Sequence, residues 1–392
     1  MKTSAKMFLL LALAFGGLTA TAETKYIVTN DDNPSGNSAS IFSATSSGTL
    51  TLVKTIPTGG YGIGGGYFAA SRANVLRSKA NNCTYVGDVY GKNMSLPSDV
   101  AAIDMSTLTL VGAFPGFQLD SGAIWGISLA EDSSGAYLFA AFSQSGTITT
   151  YKQEAGCQLK KLNQTITFGA LNSPVGGMKV TPNGKFLIVS YEDTSIGSFD
   201  IDSDTGSLTL INRFLVADSE IATSIDITSD SRWVVFGDAD PNNVPVVEVA
   251  PIHENGSLGP TQDYAGIGTG LGSENVWLSP DESQLYISNN FSGQVTAVPF
   301  NKEHGIVDVP LACTSAVLKG FGFWTNLGSI VGNSIAENGS PVFAAEFGSK
   351  PAGIAIVDFI KPCTLMEDSA SPASDPASNS LLSIGADPPR SF

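Results

Sequence analysis

A short pattern returns along the chain at intervals near fifty residues, and a period of that length admits few architectures. Its clearest copy runs from Gly177 to Ile211. Apolar stretches at Gly177–Val180, Phe186–Ser190, Ile196–Ile201 and Ser207–Ile211 are separated by turn signals such as Pro182-Asn183-Gly184 and Asp204-Thr205-Gly206. That grammar reads as four short strands, A to D, joined by hairpins. Val276–Asn289 followed by Gln294–Phe300 is another copy, and Ile225–Phe236 part of a third. The large residue opening each B strand falls at Tyr26, Tyr85, Tyr137, Phe186, Trp233, Leu285 and Val342, spaced by 59, 52, 49, 47, 52 and 57 residues. Seven such units predict an all-β chain folded as a seven-bladed β-propeller with four antiparallel strands per blade. The C–D turns repeat independently. Ser46-Ser47-Gly48, Asp204-Thr205-Gly206, Glu254-Asn255-Gly256 and Glu303-His304-Gly305 each place a glycine where a tight hairpin needs positive φ.

Counting strands shows how the ring closes. B, C and D strands occur seven times, but an A strand precedes only the six later units. The missing inner strand is expected from residues 378–384, within a Ser/Pro-rich tail, 369–392, that follows the propeller at 23–368. The competing reading of this tail is a disordered segment. At the other end, Lys2 and Lys6, the apolar Phe8–Phe15 and Ala20-Thr21-Ala22 have the form of a cleaved export signal, 1–22. The protein is therefore expected to be secreted, periplasmic or at the cell surface. The longest apolar run, Met7–Leu18, is short of the roughly 20 residues a bilayer span needs, so no integral membrane association is expected.

Removing the leader moves the formal charge from −16 to −18, which disfavours nucleic acid or an anionic membrane as a partner. Four cysteines and no CxxC point to disulfides, in any of three connectivities, rather than zinc. Six N-x-Ser/Thr sequons begin at Asn82, Asn93, Asn163, Asn255, Asn290 and Asn338.

The segments Ser273-Glu274-Asn275-Val276-Trp277-Leu278-Ser279-Pro280-Asp281 and Val180-Thr181-Pro182-Asn183-Gly184-Lys185-Phe186 resemble blades of the seven-bladed lactonase family. That family includes 6-phosphogluconolactonases and carboxymuconate cyclases, and Tyr26-Ile27-Val28-Thr29-Asn30 is similar to the related YVTN surface repeats. The resemblance implies a hydrolase or cycloisomerase, with Glu274 as the acidic catalytic group at the channel mouth. Where the family commonly shows Ser-Asn-Arg, this chain has Ser288-Asn289-Asn290, and where it often shows Pro-His-x-His, this chain has Pro174-Val175-Gly176-Gly177. A phosphorylated or tricarboxylate substrate is disfavoured, because the cationic clamp such anions need is missing.

Function on a propeller is expected where the D–A and B–C loops converge on the central channel. Acids gather there: Asp31, Asp32, Asp88, Glu192, Asp193, Asp238, Asp240 and Glu346 after B strands, and Asp120, Asp218, Glu220 and Glu274 before A strands. Asp238, Glu192, Asp120 and Glu346 are the expected ligand-binding groups. Clustered carboxylates suit Ca²⁺ or another divalent cation, although Asp also starts turns through its own backbone bonds. His253 and His304 fall at C–D turns on the opposite face, so a histidine triad or zinc site is not expected. Gly60-Tyr61-Gly62-Ile63-Gly64-Gly65 matches G-x-G-x-x-G, but no helix follows it, so it reads as an interblade loop. Arg72, Arg77 and Arg213 lie toward the other strand ends, and none is assigned to a substrate.

The residues thus predict an exported monomer that takes a small-molecule or carbohydrate ligand, as a lactonase-like enzyme. The alternative is a non-catalytic propeller that binds a carbohydrate, peptide or protein. A purely structural surface-repeat protein also fits the Ser/Thr/Gly-rich composition.

Overall fold

The computed structural model describes residues 25–386 apart from 63, 65–73, 92–96, 118–126, 143–145, 167–174, 192, 217–221, 240–244, 320–325, 333–337, 348–351 and 377–382. The expected leader lies outside the described residues. Seven antiparallel sheets follow one another along the chain. Blade 1 is β1 (Lys25–Asn30), β2 (Ser38–Ala44) and β3 (Leu50–Pro57), and blade 2 is β4 (Val75–Arg77), β5 (Cys83–Asp88), β6 (Asp99–Asp104) and β7 (Thr109–Pro115). Blade 3 is β8 (Ile127–Glu131), β9 (Tyr137–Phe142), β10 (Thr147–Glu154) and β11 (Gln158–Ile166). Blade 4 is β12 (Val175–Val180), β13 (Phe186–Tyr191), β14 (Ser195–Ile201) and β15 (Leu208–Leu215). Blade 5 is β16 (Ala222–Ile227), β17 (Trp233–Ala239), β18 (Pro245–Pro251) and β19 (Gln262–Ala265). Blade 6 is β20 (Ser273–Leu278), β21 (Gln284–Asn289), β22 (Gln294–Asn301) and β23 (Ile306–Val307), with β24 (Cys313–Thr314) also on β22. Blade 7 is β25 (Asn326–Gly332), β26 (Val342–Phe347), β27 (Ala352–Ile360) and β28 (Thr364–Glu367), with β29 (Ala373–Asp375) also on β27.

The chain's last strand, β30 (Ser383–Ala386), pairs with β1 and supplies the inner strand of blade 1. The tail therefore closes the ring, through 383–386; residues 378–382 of the expected strand lie outside the described residues. The inner strands touch in the order β30, β4, β8, β12, β16, β20, β25 and back to β30, which encloses the central channel.

The core is distributed between the blades. Successive residues of a strand face opposite sides. In β9, Tyr137, Phe139 and Ala141 pack against blade 4, whereas Leu138, Ala140 and Phe142 pack against blade 2. Seven apolar clusters result, one at each blade interface. B strands such as β9, β13 and β21 are buried throughout, while outer strands such as β7 and β15 are half-exposed. Burial on both faces leaves few positions for charge, which is why only 14% of the residues are charged.

The B-strand residues and the turn glycines that carry the repeat meet across these interfaces. A Cβ on Gly206 would stand 2.7 Å from the Tyr137 ring, one on Gly256 2.4 Å from Phe186, and one on Gly305 2.5 Å from Trp233. Each of these turns takes positive φ and folds beneath the aromatic of the preceding blade.

Cys83 and Cys157 join blade 2 to the C–D turn of blade 3, and Cys313 and Cys363 join blades 6 and 7. Because Cys83–Cys157 closes 74 residues, the double variant Cys83→Ala/Cys157→Ala is expected to lose about 4 kcal/mol. Denaturant titration checks this; an unshifted midpoint contradicts it.

Candidate active site at the upper channel mouth

We call upper the face where inner strands begin and B strands end. Glu274 lies inside inner strand β20 rather than just before it. Ser273 pairs with Asn289 and Asn275 with Ser288, so Glu274 is the extra residue of a β-bulge. Comparable irregularities interrupt β12 between Val175 and Met178, β16 between Ala222 and Ile225, and β25 between Leu327 and Ile330. Four inner strands thus bend at the same height, a device that re-aims side chains beside sites.

The Glu274 bulge is held from blade 5. The Val246 N–H donates to Ser273 Oγ at 2.9 Å, Ser273 Oγ donates to the Val246 carbonyl at 2.6 Å, and the Val276 N–H donates to Ser224 Oγ at 2.8 Å. Gly237 makes the close approach possible, since a Cβ there would be 2.7 Å from the Ser273 carbonyl oxygen. Glu274 itself is 3% exposed.

Glu346 lies in β26 opposite Leu327 and is 1% exposed. Neither of its carboxylate oxygens has a hydrogen-bond partner among the described residues. A Cβ on Gly353 would be 3.0 Å from its Oε2, so the carboxyl lies over the neighbouring strand β27. Burial first, and then the charge of Glu367, pushes it up to about 7. Asp238 lies in β17 opposite Ala222 and Val246, but its side chain is outside the described residues, as are Asp120 and Glu192.

Two acid pairs were not foreseen. Asp88 and Asp99 face each other across β5 and β6, 0% and 5% exposed. Asp88 Oδ1 accepts from Asn37 Nδ2 at 2.6 Å and Thr58 Oγ1 at 2.8 Å. Burial raises Asp88 to about 6, against the lowering effect of these bonds, while burial and then the Asp88 charge raise Asp99 to about 9. At neutral pH the pair keeps one proton. In the second pair, Asp31 accepts from Thr29 Oγ1 at 2.7 Å, Ser38 Oγ at 2.6 Å and Ser40 Oγ at 2.9 Å. Asp375, from the tail, accepts from the same Thr29 and Ser40 hydroxyls, each at 3.2 Å. Burial and then Asp375 hold Asp31 well above the usual carboxylate range.

The Asp88–Asp99 pair gives a pH prediction. Both folded-state values are raised, so the stability it contributes is full below the unfolded value near 4 and falls as pH rises through about 6 and then about 9. Asp99→Asn keeps the shape without the second charge. Between pH 7 and 10 it is expected to lose about 5 °C less in melting temperature than the wild type. Parallel melting curves check this; identical pH slopes contradict it.

The glycine run packs against these acids. Cβ atoms on Gly60 and Gly62 would stand 2.5 Å from Asp88 Cγ and 2.3 Å from the Asp32 carbonyl carbon. Beyond it, residues 65–73 and Arg72 lie outside the described residues. His253 and His304 sit in exposed turns on the lower face. Arg213 is engaged structurally: it stacks on Tyr191 at 4.3 Å and bonds Asp193 and Ser195. Arg77 donates to the Cys83 carbonyl at 2.8 Å. Deeper in the ring, Lys179 pairs with Asp226 between blades 4 and 5, and burial followed by Lys179 lowers the Lys79 ammonium. Among the described residues no group of three or more His, Cys, Asp or Glu could hold a metal ion. No helix among them is long and apolar enough to cross a membrane.

A 6-phosphogluconolactonase proposed from Bacteroides fragilis superposes with a TM-score of 0.68, at 16% identity over 94% of this chain and 99% of its own. The periplasmic gluconolactonase of Pseudomonas aeruginosa gives 0.69, at 11% identity over 94% and 100%. A second protein proposed as a 6-phosphogluconolactonase, from Bacteroides uniformis, gives 0.58, at 17% identity over 74% and 81%. At these identities the likeness is one of fold. No curated protein sequence matches the chain. Residues 129–272 match the family described as lactonase, 7-bladed beta-propeller, and with the closed seven-bladed ring around them they make this chain similar to that family.

Proposed function

We propose that the chain is an exported, lactonase-like propeller that hydrolyses or isomerises a lactone or sugar-derived small molecule at the upper channel mouth. The observation that carries this reading is Glu274, a buried carboxylate on an inner-strand bulge fixed by blade 5. In hydrolysis, Glu274 takes a proton from water as its oxygen attacks the lactone carbonyl. Collapse of the adduct breaks the ring C–O bond, Glu274 returns that proton to the ring oxygen, and lactone plus water gives the open hydroxy acid. Export is supported by the amino-terminal leader and by two disulfides, which persist in oxidising compartments. Small neutral lactones screened with and without chelator test the reading. Hydrolysis above background that survives chelation is expected; silence across the panel contradicts it and leaves the non-catalytic binding reading.

A further inference from the structure

The upper corner of blade 6 holds buried polar atoms that no group among the described residues satisfies. Asn275 Nδ2, Ser288 Oγ, Asn289 Oδ1 and both side-chain ends of Asn290 have no hydrogen-bond partner among the described residues. All four residues are at most 5% exposed. Asn275 pairs with Ser288 on the face that packs toward blade 7, and Asn290 follows at the hairpin beside the Glu274 bulge, whereas Asn289, paired with Ser273, lies on the opposite face toward blade 5. The Asn289 amide orientation is set by its Nδ2, which donates to the Gln294 carbonyl at 3.1 Å and Thr296 Oγ1 at 2.8 Å, leaving Oδ1 as the open acceptor. Buried polar groups in a folded protein are nearly always bonded, so such a concentration calls for an occupant carrying both donors and acceptors.

The charge pattern narrows the class of occupant. From Trp233 to Asn301, from the start of β17 to the end of β22, the sequence has eight acids and no lysine or arginine. A phosphate or carboxylate would enter this corner against that field, and this stretch of sequence supplies no guanidinium or ammonium to receive it. Sugar hydroxyls, which donate and accept at once, match amides and a serine hydroxyl without a charge cost.

We propose that this corner is the specificity subsite of the channel mouth and selects a neutral, polyhydroxylated lactone over its phosphorylated counterpart, with Asn290 as the discriminating residue. The proposal rests on the lactonase reading for turnover, but not for binding. Asn290 bonds a ligand hydroxyl; a guanidinium in its place would instead attract an anionic group.

The test compares D-glucono-1,5-lactone with its 6-phosphate for the wild type, Asn290→Arg, Asn290→Leu and Asn275→Leu, each checked for folding by its melting curve. Calorimetric binding of the non-hydrolysable D-glucono-1,5-lactam is measured in parallel. The wild type is expected to favour the neutral lactone by about tenfold or more in kcat/KM, and Asn290→Arg to move the ratio about tenfold toward the phosphate. Both leucine variants are expected to weaken lactam binding by about tenfold, and either suffices should the arginine variant not fold. Lactam binding that these variants weaken, without turnover of either lactone, supports the subsite and removes the enzyme reading. Turnover with a ratio that favours the phosphate, or that Asn290→Arg leaves unmoved, overturns the subsite alone. Absence of both binding and turnover overturns both.

Discussion

Truncation after Asp368 is expected to lower the melting temperature by about 10 °C or more and to promote association between molecules. The tail contributes two strands on different blades: β29 pairs Ala373–Asp375 with β27 of blade 7, and β30 pairs Ser383–Ala386 with β1 of blade 1. Ile384 packs with Ile27, Phe42, Phe343 and Ile354 in the cluster between those blades. Asp375 takes bonds from Thr29 and Ser40 beside Asp31, and Gly385 lies close enough to blade 2 that a Cβ would be 2.9 Å from Val75. Losing a core isoleucine, two ladders of backbone bonds and these polar contacts costs about 5 kcal/mol or more. At roughly 2 °C per kcal/mol for a large domain, that gives the shift stated. The exposed edge of β1 would also become a template for pairing with another chain. Calorimetry and light scattering on the truncated protein check both effects; an unchanged melt contradicts closure by the tail.

The second large effect is expected from Glu274→Gln, which should reduce kcat/KM on a neutral lactone by roughly 10² to 10⁴, the range for loss of a general base. The substitution is isosteric, and the bulge is held by the hydrogen bonds of Ser273 and Val276 and by the close approach at Gly237. The melting temperature should therefore stay within about 2 °C of the wild type. A fall in kcat with KM little changed is the expected split, because the amide can still occupy the space but cannot take the proton. Activity within threefold of the wild type would remove Glu274 from the chemistry.

The ring was legible because its two sequence signals are halves of one contact. Tyr137, Phe186 and Trp233 recur with the period of Gly206, Gly256 and Gly305 because each aromatic packs against the glycine turn of the next blade. The closing strand was legible as a missing element but not in register. Ile384 must enter the cluster between blades 7 and 1, and Gly385 must stand where Val75 approaches, and neither requirement is written in the tail itself. Strand β29 has no apolar alternation and is held by its ladder and by Asp375, so nothing marks it within the Ser/Pro-rich tail. At the site, resemblance singled out Glu274, but the bulge that carries it depends on a glycine in another blade. Asp88 was visible as an acid after a B strand, whereas its pairing with Asp99 follows from the length of a hairpin loop. The Ser288-Asn289-Asn290 run showed only what was missing, a guanidinium. Its unsatisfied amides emerge once the strands bury them.

The central claim is that the ligand of this propeller sits at the upper mouth, between the Glu274 bulge and the end of β21. The most direct measurement is a crystal structure of the full mature chain grown with D-glucono-1,5-lactam. The account predicts density for the lactam beside Glu274, with its hydroxyls within hydrogen-bond distance of Asn275 and Asn290. Lactam density at any other place on the ring, or a mouth left empty at saturating lactam, would contradict it.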